Sequence, residues 1–339
     1  MSTRTRVWLR RALVAALVGF GIWAVAANWS EVAAALRQLS PWAVVAALAV
    51  GFATTAAALS VWRALLSDLG YPLPLAAAAR IFYVSQLGKY VPGSVWSIVT
   101  QIELSRAYRI PKRANVTVGL LAIAMAVTTG LGLGALLLPF AGAGAERRYW
   151  WIALIVPVLA AGLHPRVLGP ALNRVLRMVR REPLSRTPSG RGLLRAAALQ
   201  GLVWLGLGLQ AWLLLVGLGA PAGPALPVAI GGYALAYSLG QLAVGLPAGA
   251  GVREAALTLA LSAVVAPPTA LVAALLARAV MTVVDLALAA LAGATTRRRQ
   301  NGAPNGDPDR RPDRAPDSGA ARGQDRRDHE VRDAEPRRS

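Results

Sequence analysis

Apolar residues in this chain run on rather than alternate. Long apolar stretches occupy Ala12 to Ala27, Pro41 to Leu66, Asn115 to Phe140, Tyr149 to His164, Ala196 to Leu218 and Thr269 to Ala292. Each approaches or exceeds the roughly 20 residues an α-helix needs to cross about 30 Å of hydrocarbon. No series of short alternating segments of the kind a tilted barrel requires is present. The pattern predicts an all-α polytopic membrane protein with about six full spans.

Two further apolar segments are broken. Leu75 to Val91 leads to Pro92 and Gly93, and Ser94 to Ser105 leads away from them. The second piece gives only about 18 Å of helix at 1.5 Å per residue, well short of a crossing. Pro92 lacks a backbone donor and Gly93 tolerates positive φ, so the chain can reverse there. The expected result is a re-entrant helix pair, whose irregular tip is tolerated at membrane depth only inside protein or beside water. Leu226 to Leu246, the turn "LPAGAG" around Pro247, Gly249 and Gly251, and Val252 to Val265 repeat the arrangement before Pro267 and Pro268.

Charge supplies orientation. The chain carries 36 Lys and Arg against 16 Asp and Glu, a formal charge of +20, which would suit nucleic acid were it clustered on a soluble surface. It lies instead on the loops between apolar runs, where the acids are only Glu31, Asp68, Glu103, Glu146, Glu182, Glu254 and Asp285. Membrane topology explains this and no nucleic-acid partner is expected: the basic loops mark the cytoplasmic side. Arg63, Arg80, Arg106, Arg109, Lys112 and Arg113 put both ends of the first hairpin inside, whereas the second must open outside for the last span to end at Arg297 to Arg299. Both termini are then cytoplasmic. "AVA" at Ala24 to Ala26 leaves open a cleaved signal in place of the first span. Leu168, Leu172, Val175 and Val179 recur at helical spacing opposite Arg174, Arg177 and Arg181, the pattern of a helix on an anionic membrane surface, or simply of a topogenic loop. Residues 1–296 form the membrane domain, and 297–339, rich in Arg, Asp and Pro, form an expected disordered tail. There is no cysteine, so thiolate and disulfide chemistry are excluded. No metal or cofactor site is read.

The two breaks resemble each other. "LGKYVPG" (Leu87 to Gly93) and "LGQLAVGLPAG" (Leu239 to Gly249) each place Leu-Gly before a proline, then a short helix bearing a glutamate, then a long span about twenty residues after the proline. Broken segments at matching positions of two halves, with opposite sidedness, point to an inverted repeat and a midplane site. A charge at membrane depth costs at least about 2.5 kcal/mol, so each needs a partner or a task. Lys89, Arg253 and Arg278 are the candidate cations for a lipid phosphate, with Pro92, Gly93, Pro247, Gly249 and Gly251 shaping the backbone. Glu103, Glu254 and Asp285 are charge partners or proton carriers. Arg278 and Asp285 share one face of the last span but lie about 10 Å apart, with Thr282 between them. The alternative is purely structural pairing, Arg253 with Asp285 or Arg278 with Glu254. His164 reads as interfacial and His329 lies in the tail.

At "LPAGAGVREAALTLALS" the chain resembles the flippase-like family named after the transmembrane region of lysylphosphatidylglycerol synthases. The likeness rests on the glycine-rich turn followed by Gly251, Val252, Arg253 and Glu254, on a later span carrying Arg278, and on "GKYVPGSVW" followed by "SRAYRIPKRA". It covers roughly Leu13 to Leu291. It implies an integral inner-membrane protein associated with translocation or metabolism of lipids such as aminoacylated phospholipids or polyprenyl-linked sugars. A soluble aminoacyltransferase domain is not expected here, so synthesis of lysylphosphatidylglycerol is not either.

Three functions follow as expectations. The leading one is a flippase for an anionic phospholipid, aminoacyl-lipid or polyprenyl-linked lipid. The second is a non-catalytic scaffold for a lipid-modifying or glycosyltransferase partner, and the third an enzyme acting on lipid-linked substrates. For the third, Glu103 and Glu254 come without a nucleophile, metal-ligand cluster or phosphate loop, so no catalytic residue is assigned.

Overall fold

A computed structural model of the chain describes residues 29–90, 96–140, 157, 161–162, 165–178, 188–243, 246 and 249–301. Among these the secondary structure is helical, without strands. The helices are α1 (Trp29–Gln38), α2 (Pro41–Asp68), α3 (Leu75–Gln86), α4 (Trp96–Ser105), α5 (Lys112–Leu137), α6 (Pro165–Met178), α7 (Gly190–Gly217), α8 (Ala222–Leu242), α9 (Val252–Leu261) and α10 (Pro267–Asn301). A 3₁₀ turn, Leu87–Tyr90, prolongs α3. Four helices are long and apolar enough to cross a membrane: α2, α5, α7 and the Pro267–Ala294 part of α10. The other two expected spans lie outside the described residues except for Pro157, Ala161 and Gly162. The amphipathic stretch does form a helix, α6, with Arg174 and Arg177 exposed, although Val179 lies outside the described residues. The last span continues as helix to Asn301, so the first residues assigned to the tail extend it; the rest of the tail lies outside the described residues.

Helix boundaries follow local chemistry. Pro74, Pro111 and Pro221 each occupy the position just before a helix, and Pro41 opens α2, where a missing N–H is harmless. Ser189 caps α7 by accepting from the Gly192 N–H at 2.9 Å.

The fold is organised around α2 and α7, which lie side by side and antiparallel. At one end the Ser40 N–H donates to the Gly217 carbonyl at 3.2 Å. At the other, the Asp68 carboxylate accepts from the Ser189 N–H at 2.7 Å and its hydroxyl at 2.5 Å. Midway, Gly206 packs against Thr54 so closely that any Cβ would collide with it. Small residues allow this approach where lipid gives helices no hydrophobic reason to associate.

The order long helix, helical hairpin, long helix occurs twice, as α2 to α5 and as α7 to α10, with equivalent residues 152 positions apart. In the first hairpin Gly88 crosses the backbone of Ser97, and in the second Gly240 crosses that of Gly249. The polar pairs match as well: Gln101 Nε2 donates to Ser85 Oγ at 3.2 Å, and Arg253 lies 4.6 Å from the Tyr237 ring centre. Because α2 and α7 are equivalent yet antiparallel, the halves are inverted. Thr54 and Gly206 are themselves equivalents, so the pseudo-twofold axis passes where they touch.

The hairpins accordingly open at opposite ends. The first follows α2 at the Asp68 end, where Arg63 Nε donates to the Leu73 carbonyl at 2.9 Å, and returns there to start α5. The second begins at the Ser40 and Gly217 end, where Trp212 Nε1 donates to the Ala222 carbonyl at 2.7 Å. Its return arm, α9, runs back along α8, with Gly232 against Ala260. The second hairpin also seats against α5, where Gly130 meets Ser238 and Gly134 meets Leu235 and Gly231. Trp204 closes this corner, donating to Thr129 Oγ1 at 2.9 Å.

Gly249, at φ 67°, combines left-handed backbone with a Cβ position 2.7 Å from Gly240 Cα. Gly249→Ala is expected to destabilise by about 2–4 kcal/mol, read as a lower unfolding midpoint in detergent. Gly201→Ala, with open space at its Cβ, is expected to be neutral or stabilising. In this cysteine-free chain, single cysteines at Pro111 and Pro267 are expected to react with an impermeant maleimide from opposite faces. Labelling from one face would contradict the inversion.

Candidate functional site

The end of the first hairpin's entering arm reaches α10. The 3₁₀ turn at its end sets Lys89 and Tyr90 against one face of that helix, and both converge on Asp285. Lys89 Nζ lies 2.6 Å from Asp285 Oδ2, and the Tyr90 hydroxyl donates to the same oxygen at 2.6 Å. Tyr90 also makes a longer contact, 3.4 Å, to Thr282 Oγ1, whose own proton goes to the Arg278 carbonyl. The Asp285 side chain is 1% exposed and that of Lys89 32%, so the acid is sealed more completely than the lysine side chain.

The second hairpin delivers its charges through a helix start. Gly251, at φ 83°, turns the chain into α9 in a conformation that a side chain would strain. Glu254, in the first turn of α9, reaches back to the Gly251 N–H at 2.6 Å, as acids near helix N-termini do. Its other oxygen accepts from Arg278 Nη1 at 2.5 Å. One carboxylate thus pins the turn to α10. Arg253 points the other way: its guanidinium donates to the Tyr233 hydroxyl and stacks on Tyr233 and Tyr237, 4.8 and 4.6 Å from the ring centres. Gly240 leaves the room for this, its Cβ position being 3.2 Å from Arg253 Cβ.

The structure therefore places Lys89 within electrostatic reach of both Arg253 and Arg278, with Asp285 paired to Lys89 and Glu254 to Arg278. Of the two pairings weighed from sequence, Arg278 with Glu254 forms. Arg253 with Asp285 does not, because Lys89 and Tyr90 occupy that carboxylate. Glu103 is a charge partner outside the cluster. It is exposed and pairs with Arg106 at 2.9 Å, because α4 carries it back from the hairpin tip toward the basic end. Gly249 and Gly251 shape the second turn, whereas Pro92, Gly93 and Pro247 lie outside the described residues. Sequence reasoning missed Tyr90, Tyr233 and Tyr237. The signal was available: Tyr233 and Tyr237 are four apart, hence on one face of an otherwise apolar helix.

The region matched by a known family model spans residues 7–289 and is described as the lysylphosphatidylglycerol synthase TM region. The chain belongs to this family. Comparison with curated proteins finds no match. Membership in the lysylphosphatidylglycerol synthase TM region family makes this an integral, multi-pass membrane protein related to lipid handling. Both hairpins and all five charged residues of the cluster fall inside the matched region.

Within this family member the ion pairs carry structural weight, since a charge left alone in a buried setting is costly. Asp285→Ala strands Lys89 and is expected to destabilise by about 3–5 kcal/mol in SDS-titration unfolding. The double substitution Lys89→Met with Asp285→Leu is expected to recover most of that loss. A double variant as unstable as the single one would mean that the pair acts through packing rather than charge.

Proposed function

We propose that the protein is a lipid flippase of the cell membrane, with both termini cytoplasmic, binding an anionic headgroup between the hairpin tips. The observation that carries this reading is the meeting of two hairpins, open at opposite ends, on one span, α10, with three cations between them. A site reached from either end of an inverted repeat is what alternating access needs, since rocking one half against the other changes which end is open. The division of labour follows from the contacts. Glu254 fixes the second turn to α10 and Asp285 fixes the first tip, while Arg253 is held only by tyrosines among the described residues. Tyrosine faces stabilise a guanidinium without cancelling its charge. Arg253 therefore keeps its positive charge for a phosphate.

Basic residues gather at the Asp68 end, among them Arg63, Arg80, Lys112, Arg113, Arg191 and Arg195. That end is taken as cytoplasmic on the positive-inside rule. No chemical step is assigned to the cluster. A scaffold reading has its own support in α6, whose exposed Arg174 and Arg177 suit an acidic partner or surface.

The test is transbilayer movement of labelled phosphatidylglycerol or a labelled polyprenyl lipid in liposomes. The purified protein is expected to accelerate it, and Arg253→Ala to reduce the rate at least tenfold with the unfolding midpoint kept. Equal rates with and without protein would remove the flippase reading in favour of the scaffold.

A further inference from the structure

The charge balance of the cluster restricts the headgroup further. Three cations, Lys89, Arg253 and Arg278, stand against two carboxylates, Asp285 and Glu254, which leaves one excess positive charge among the described residues. Proton movement does not alter that sum. A proton passed from Lys89 to Asp285 neutralises both partners, and guanidinium groups keep their protons. Both carboxylates already face a cation. Glu254 spends one oxygen on Arg278 and the other on the Gly251 N–H, and Asp285 accepts from both Lys89 and Tyr90. An ammonium-bearing headgroup would compete with Lys89 or Arg278 for an acid, in a cluster whose sum is already positive.

We propose that the site takes a monoanionic phosphodiester lipid headgroup, in preference to dianionic diphosphates and to headgroups carrying an ammonium. The assignment deepens the transport reading and rests on it for location. One phosphodiester brings the sum of the cluster to zero, whereas a diphosphate carries it past neutrality and an aminoacylated headgroup adds positive charge to an excess that is already positive. Arg253 is the group that answers the phosphate, its guanidinium matching two phosphate oxygens at once. The same diester chemistry occurs in diacyl phosphatidylglycerol and in polyprenyl monophosphate sugars, so the chain length of the tail is the remaining variable.

The test measures binding apart from transport, by native mass spectrometry and thermal shift of the full chain. The probes are phosphatidylglycerol, phosphatidylethanolamine, lysyl-phosphatidylglycerol, a polyprenyl monophosphate sugar, a polyprenyl diphosphate sugar and inorganic phosphate. At least one of the two diesters is expected to bind tenfold or more tighter than the diphosphate and the ammonium lipids, and comparison of the two identifies the tail. Arg253→Gln is expected to abolish the preference. Asp285→Asn, which raises the excess to two, is expected to shift it toward the diphosphate, and carries the test should Arg253→Gln fail to fold. Equal binding of all headgroups, a wild-type preference for diphosphate or lysyl lipid, or full displacement by inorganic phosphate would each overturn the proposal. Selective diester binding without transbilayer movement would overturn transport and leave the headgroup assignment standing. Transport without headgroup preference would do the reverse.

Discussion

Nothing in hydrocarbon will hydrogen-bond an exposed peptide group or solvate a lone charge, and this one constraint organises the molecule. A chain that breaks its helices within the membrane domain must bring protein to the break. The α2 and α7 pair supplies a wall, with α5 and α10 packed beside it, and the described parts of the hairpin arms lie against α5 and α10. The glycine crossings at Gly88 and Gly249 show how closely the arms must lie for a hairpin to fit: each brings backbone onto backbone, where even a methyl group has no space. The charged cluster obeys the same rule, since each of its acids is met by at least two donors.

The inverted repeat is shared in element order and broken in chemistry. Gln101 and Arg253 occupy equivalent places on the return arms, and Ser85 and Tyr237 on the entering ones. In the first half the set is neutral and satisfied: Trp62 Nε1 donates to Gln101 Oε1 at 3.2 Å, Gln101 to Ser85, and Ser85 to the Phe82 carbonyl. In the second half the same positions hold a guanidinium and an aromatic ring. The two long closing helices differ likewise. Asp285 and Arg278 on α10 correspond to Leu133 and Ala126 on α5, so the charge gathers on one closing span. The first hairpin contributes its tip, Lys89 and Tyr90, and the second its return arm, Arg253 and Glu254.

The fold was legible where hydrophobicity alone decides it. Run lengths gave the long helices, and the Leu-Gly and proline pattern located both breaks, because a chain reversal needs residues that few other settings favour. The sidedness argument from basic loops agrees with the opposed hairpin ends. Within the site, sequence named the five charged residues of the cluster but not their pairing, which depends on how far each hairpin tip penetrates. Lys89 reaches Asp285 because a 3₁₀ turn adds length beyond Gln86, a detail no periodicity encodes. Glu103 falls outside the cluster for the complementary reason: proximity to the break along the chain is lost as α4 climbs about 1.5 Å with every residue. The tyrosines escaped notice because a phenol can pass for an apolar ring until its hydroxyl is seen to meet a cation or an acid.

The contact of Thr54 with Gly206 has a geometric meaning of its own. A point on a pseudo-twofold axis is shared by both halves, so this contact belongs to neither half alone. A bulky replacement there would press on both halves at once, a wedge at their common seam rather than a load on one of them.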